Sequence, residues 1–200
     1  MSRRPRRWSD SLFYIFAEGD VTERVYFEES TFGSEPRPDR KFPIINKGHR
    51  GGQDSKSIMK WAEEEMRGRF KKGDIVWIVL DKDSNTSESL HELKKWCEEK
   101  GFRLAVSNPM FEYWLALHFQ YIDYNVDRIF LEGFLTNNLA RRYDKCECYN
   151  ETLHLRIDKA VKNAEKVRNG INSEDYCDHN PFTNADMLVE DIRRYMGSGV

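Results

Sequence analysis

Short stretches rich in hydrophobic residues recur along the first half of the chain. Residues 11–17, 74–80 and 102–108 contain the β-branched and aromatic residues that favour strands. FPII, at 42–45, predicts another short strand. The run at 74–80 lacks the polar alternation of a half-exposed strand, so we expect a central strand that is covered on both faces.

Between these stretches, hydrophobic residues recur every three or four positions, which is the pattern of a helix packed along one side. The longest such stripe lies within residues 54–70 and consists of Ile58, Trp61, Ala62, Met66 and Phe70. Shorter patterns predict a helix over about 20–30 and another that ends at Gly101. Strands and helices therefore alternate in this part of the chain.

This alternation predicts an α/β fold with a mostly parallel sheet and right-handed crossovers. Beyond Met110 only helical patterns are found, so no further strand is expected there. The predicted helices lie at about 111–119, 121–142 and 157–164 and from about Thr183 onward.

The length of 200 residues favours a single domain over 11–200, preceded by a basic tail at 1–10. Within this domain we expect an α/β core at about 11–110 and a helical part at about 110–200.

Composition limits the function classes. Charged residues make up 33% of the chain and the mean hydropathy is −0.77, so we expect a soluble protein without a membrane-spanning helix. Lys and Arg (32) nearly balance Asp and Glu (34), which excludes a uniformly basic nucleic-acid coat.

Four cysteines are too few for a disulfide framework, which favours the cytoplasm. Glu18 and Asp20 end the first hydrophobic run after six residues, so we interpret it as a strand and not as a signal peptide.

Carboxylates follow two of the predicted strands. Glu18 comes directly after the first strand, Asp81 and Asp83 follow the run at 74–80, and Glu23 lies on the helix after Glu18. The carboxyl ends of parallel strands meet at one edge of a sheet, where these acids would repel one another unless a cation or protons were bound. Mg²⁺ is the usual cation for such oxygen ligands. The alternative is structural, with the aspartates ending a strand and Glu23 belonging to a helix start.

Four segments of the chain resemble the signature segments of RloB-like proteins, and the acids resemble those of the Toprim domain found in primases, topoisomerases and OLD-type nucleases. The segments extend from Phe16 to Ile192 and read FAEGDVTERVYF, IVLDKDSN, SNPMFEYWLALHF and HNPFTNADMLVEDI.

This resemblance implies a Toprim-like (Rossmann-like) fold and a Mg²⁺-dependent nuclease, with Mn²⁺ as an alternative ion. It also implies a role in bacterial defence against phage, beside a partner ATPase. Glu18 would be the general acid or base, and Glu18, Asp81 and Asp83 would surround the metal. A topoisomerase is disfavoured, because the chain is too short to add the domain that carries the nucleophilic tyrosine.

The segment after the fourth predicted strand offers further candidates. Glu112 lies on a mostly hydrophobic helix, and a buried acid needs a partner or a role, so it is a candidate for the site. Asn108 is expected to shape a turn and Trp114 to lie in the core. His118 is six residues beyond Glu112 and therefore on another face, which favours a structural histidine.

A zinc site and a nucleic-acid surface are also considered. Cys146, Cys148, Cys177 and His179 would supply four zinc ligands, but the spacing within each pair is shorter than usual, so free cysteines are favoured. The candidates for binding RNA or DNA phosphates are Arg3, Arg4, Arg6, Arg7, Lys47, His49 and Arg50. The alternative for both basic segments is a solvated tail and a flexible turn. The sequence leaves the choice of RNA or DNA, and the oligomeric state, open.

Two rival functions remain at this stage. VLDKDSNT resembles the Asp-x-Asp-x-Thr motif of haloacid-dehalogenase-type phosphatases, but Thr86 comes one residue late and the motif does not follow the first strand. The other rival is a regulatory subunit of an ATPase complex, whose carboxylates hold metal without turnover.

Overall fold

The computed structural model describes residues 12–19, 21–27, 54–82, 85–171 and 178–197. The first half contains β1 (Phe13–Ala17), α1 (Thr22–Tyr26), α2 (Ser55–Met66), β2 (Ile75–Asp81), α3 (Ser87–Lys100) and β3 (Arg103–Asn108). The second half contains α4 (Glu112–Leu117), α5 (Arg128–Asn138), α6 (Asn150–His154), α7 (Ile157–Asn169), β4 (Phe182–Thr183) and α8 (Ala185–Gly197).

The strands form one open sheet in the order β1-β2-β3-β4. β1, β2 and β3 are parallel, with Phe16 beside Ile78 and Val79 beside Ala105, whereas β4 is antiparallel to β3. The predicted α/β fold with a mostly parallel sheet is therefore confirmed. The expectation of no strand beyond Met110 was wrong, because a strand of two residues is too short to produce a periodic pattern. The strand predicted at 42–45 lies outside the described residues.

Alternate residues of each parallel strand point to opposite faces of the sheet, and each face carries its own hydrophobic core. On β2, Trp77 and Val79 contact the core built with α1, α4, α5, α7 and α8. Val76, Ile78 and Leu80 contact the core built with α2 and α3. The continuous hydrophobic run of β2 is thus explained by helices on both faces, as predicted.

Side-chain and glycine caps set the ends of α2 and α3, the two helices that cover one face of the sheet. Asp54 caps α2 by accepting a hydrogen bond from the Ser57 N–H at 2.8 Å. This helix ends at Met66, so the predicted extension to Phe70 was too long; Phe70 packs instead on Phe102. α3 ends as predicted at Gly101, whose φ of 71° is the left-handed conformation that glycine adopts most easily.

The helices of the second half pack on the opposite face of the sheet, which contains Trp77 and Val79. α4 is buried along its whole length, and α7 and α8 lie where their stripes predicted. α5 occupies only part of the predicted 121–142, and the short α6 was not predicted. Among the residues that the structure describes, no helix is long and hydrophobic enough to cross a bilayer.

Candidate functional site

The carboxyl ends of the three parallel strands meet at one edge of the sheet. Glu18 directly follows β1, Asp81 is the last residue of β2, and Ser107 lies beside Asp81 on β3. The parallel register sets this meeting point, because Ala17 pairs with Val79 and so places the residues after each strand side by side.

A direct contact joins two of the predicted carboxylate residues. The Asp81 backbone N–H donates to Glu18 Oε2 at 3.3 Å, across 63 residues of sequence. The Glu18 N–H itself donates to the Val79 carbonyl at 2.9 Å, which continues the sheet pairing by one residue. The structure therefore places Glu18 and Asp81 at the same edge of the sheet, where the contact uses the Asp81 backbone and the Glu18 carboxylate. Asp83 lies outside the described residues.

Asn85 is a buried residue of this edge that sequence reasoning missed. Its Nδ2 donates to the Asp81 carbonyl at 2.9 Å and to Glu18 Oε2 at 3.5 Å. Its Oδ1 accepts from the N–H of Ser55, the first residue of α2, at 3.0 Å. Asn85 thus joins both carboxylate-bearing strands to α2. The sequence signal was its place at the end of the segment IVLDKDSN, shortly after β2.

Glu23 lies under the turn after β1. Its carboxylate occupies the space beside Gly19, where an added Cβ would come within 2.0 Å of Glu23 Oε2. Glu23 is 4% exposed, and this burial raises the pKa of its carboxyl to about 7, with further contributions from the charges of Glu112 and Glu18. Glycine at position 19 is therefore needed for this packing, and Glu23 can hold a proton near neutral pH.

Glu112, at the start of α4, is the second buried acid of the site. It accepts a hydrogen bond from the Tyr143 hydroxyl at 2.8 Å, while burial raises the pKa of its carboxyl. The charge of Glu112 is one of the causes that raise the pKa of Glu23, and its place in the site stays a prediction. The hydrophobic pattern gave no signal for Tyr143, which lies in the loop between α5 and α6.

The chemistry of this edge suits a hard divalent cation, because its donors are oxygens and its acids are carboxylates. Within the described ranges, no group of three or more His, Cys, Asp or Glu side chains forms a metal-binding cluster. Mg²⁺ commonly uses only one or two carboxylates together with water and substrate phosphates. Glu18 and Asp81 are the described candidates for that smaller donor set.

His118 has a structural role, as predicted. It is fully buried, with Nε2 3.0 Å from the Tyr26 hydroxyl and Nδ1 3.0 Å from the Trp114 carbonyl oxygen. Burial lowers the pKa of His118 to about 3, so the ring is neutral at physiological pH. Trp114 lies in the core, also as expected.

Of the remaining candidates, the structure describes Cys146, Cys148 and His179. Cys146 and Cys148 are exposed free cysteines, and Cys177 lies outside the described residues. The predicted nucleic-acid contacts also lie outside the described residues, namely Arg3, Arg4, Arg6, Arg7, Lys47, His49 and Arg50.

Comparison with known proteins identifies one family. The sequence model of the family described as RloB-like protein matches residues 13–192, which is most of the chain. Searches of curated proteins and of solved structures return no match.

Proposed function

The chain belongs to the RloB-like family, and we propose that it is a Mg²⁺-dependent nuclease of the Toprim type, which cleaves phosphodiester bonds in RNA or DNA. The observation that carries this proposal is the contact between Glu18 and the Asp81 backbone at the carboxyl edge of a parallel sheet. Ligands of open α/β sheets bind at this edge.

The residues of the edge would divide the work. Glu18, Asp81 and Asp83 would hold Mg²⁺ or Mn²⁺, and the bound ion would offset charge on the phosphate and activate the attacking water. Asn85 keeps the Glu18 carboxylate in place through its amide. Glu23, whose pKa is raised to about 7 by burial, would be the group that keeps a proton close to the reacting phosphate, and the charge of Glu112 contributes to that rise.

We also propose that the nuclease is an effector of antiviral defence that works with a partner ATPase in the cytoplasm. The resemblance of the four segments to RloB-like proteins supports this part, and the geometry of the edge is neutral about it. A regulatory subunit would use the same carboxylates to hold a cation without turnover.

The test is cleavage of labelled tRNA, total bacterial RNA, plasmid and single-stranded DNA in Mg²⁺, Mn²⁺ or EDTA. We expect metal-dependent cutting, which Glu18→Gln and Asp81→Asn should reduce by on the order of a hundredfold or more. Glu92→Gln is the matched control, because Glu92 is exposed on α3, and it should cut like the wild type.

Thermal unfolding monitored by circular dichroism establishes that each variant is folded. Equal cutting by wild type and Glu18→Gln would contradict the proposal. Mn²⁺ binding without cutting, even with the cognate ATPase present, would favour the regulatory subunit.

A further inference from the structure

The surface of α7 carries a stripe of lysines. Lys159, Lys162 and Lys166 are exposed and fall within an arc of about 60° on a helix of 3.6 residues per turn. The buried side of α7 is formed by Ile157, Ala160, Ala164 and Val167. Arg156, just before the helix, adds a fourth exposed cation at one end of the stripe.

The two acids of α7 border the stripe at Lys162, which lies four residues after Asp158 and three before Glu165. Asp158 and Glu165 are neighbours on the helix circumference, and Asp158 forms an ion pair with Arg193 at 2.8 Å. Over the described part of the chain, Lys159, Lys162 and Lys166 have no carboxylate oxygen within 4.0 Å. Their charges are therefore not neutralised by ion pairs, in a protein whose net charge is −2.

Contacts with the segment after α4 hold two of the lysines in place. Lys159 Nζ donates to the Phe119 carbonyl at 2.5 Å, and Lys166 Nζ lies 3.8 Å from the centre of the Tyr121 ring. Neither contact removes the charge. Side chains that are ordered before binding lose less conformational entropy when they meet an anion. Asp123, which hydrogen-bonds to Tyr121, is an acid at the border of the stripe.

The stripe is connected to the proposed active site by α4. Asn163 on α7 donates to the carbonyl of Leu117, the last residue of α4, at 2.8 Å. Glu112 is the first residue of α4, so only about 8 Å of helix separates the site from this contact. α4 therefore links Glu112 to the helix that carries the stripe.

We propose that the α7 stripe, Lys159, Lys162 and Lys166 with Arg156, binds the phosphate backbone of the nucleic acid that the enzyme cleaves. The identification of the bound polyanion as a nucleic acid rests on the proposed function. A row of unneutralised cations along one helix is the electrostatic footprint expected of such a surface.

The test is fluorescence-polarisation binding of the full chain to a labelled single-stranded RNA of about 20 nucleotides and to a DNA of the same sequence, in EDTA to prevent cleavage. Lys159→Gln/Lys162→Gln/Lys166→Gln should weaken binding on the order of tenfold. Between about 50 and about 200 mM salt, it should also reduce the slope of log affinity against log salt by about two. The matched control, Lys71→Gln/Lys72→Gln/Lys95→Gln, removes three exposed lysines elsewhere and should bind like the wild type.

Binding is measured without cleavage, so the binding result tests the inference independently of the nuclease activity. Wild-type affinity in the α7 variant, or no binding by the wild-type chain, would overturn the inference, whatever the cleavage assay shows. Weakened binding by the α7 variant, together with no Mg²⁺-dependent cutting by the wild type, would support the binding surface and contradict the proposed nuclease activity. Anionic phosphatidylserine vesicles are the second probe. Loss of vesicle binding alone in the α7 variant would assign the stripe to a membrane and overturn the inference.

Discussion

At the scale of single residues, Asn85 holds the candidate site together. Its amide donates to Glu18 Oε2 and to the Asp81 carbonyl, and its carbonyl accepts from Ser55. No other residue type of this size offers both donors and an acceptor from one planar group. The Asn85 amide is therefore required for its hydrogen bonds and not only for filling space.

Asn85→Asp tests this requirement. At neutral pH the new carboxylate would face the Glu18 carboxylate and the Asp81 carbonyl without a donor, so we expect a loss of about 1–3 kcal/mol in the free energy of unfolding. Urea unfolding measures this loss, with Asn125→Asp on an exposed loop as the control. Protonation of the new carboxyl restores one donor, so the deficit should shrink at acid pH. A deficit that does not change with pH would show that the amide donors are unimportant.

At the scale of secondary-structure elements, the edge of the sheet is completed by a side chain. β4 pairs with only Ser107 and Asn108, but Asn184 continues the contact along β3. Its Oδ1 accepts from the Val106 N–H at 2.7 Å, and its Nδ2 donates to the Leu104 carbonyl at 2.9 Å. The asparagine thus substitutes for the backbone of a longer strand.

Asn184→Ala should therefore destabilise the fold. It leaves one backbone donor and one acceptor of β3 without their partner, and we expect a cost of about 2 kcal/mol in urea unfolding. Asn169→Ala, on an exposed position at the end of α7, is the comparison and should change stability by less than about 0.5 kcal/mol. Equal effects of the two substitutions would refute the role of Asn184 at this edge.

At the scale of the whole molecule, two buried ionisable groups make stability depend on pH in opposite directions. The folded-state pKa of Glu23 is raised from 4.5 to about 7, so its contribution to stability is fully present below about pH 4.5 and is lost as the pH rises through 7. The folded-state pKa of His118 is lowered from 6.5 to about 3, so its contribution is present above about pH 6.5 and is lost as the pH falls.

Glu23→Gln and His118→Gln separate these two contributions. Relative to the wild type, Glu23→Gln should gain stability as the pH rises from about 5 to about 8, by at most about 1.4 kcal/mol per pH unit. His118→Gln should instead lose less stability than the wild type on acidification. Denaturant unfolding in EDTA across this range is the measurement. Parallel curves for wild type and both variants would contradict the assigned pKa shifts.

Local patterns in the sequence predicted most of the longer helices and strands. The continuous run at 74–80 predicted a strand with helices on both faces, and the stripe from Ile58 to Met66 predicted α2, because side-chain periodicity records which faces are buried. The four family segments and the acids after β1 and β2 are likewise properties of the sequence alone. Such features depend on near neighbours, which the sequence displays directly.

Tertiary structure decided the contacts between distant residues. The sequence predicted that Glu18 and Asp81 share one edge, but their contact across 63 residues follows from the register of β1 and β2. The contact of Tyr143 with Glu112 depends on how the loop after α5 folds back over α4. Asn85 belongs to the site because the packing of β1, β2 and α2 brings its hydrogen-bond partners together. Local periodicity carries no record of these contacts, because each depends on the packing of elements far apart in sequence.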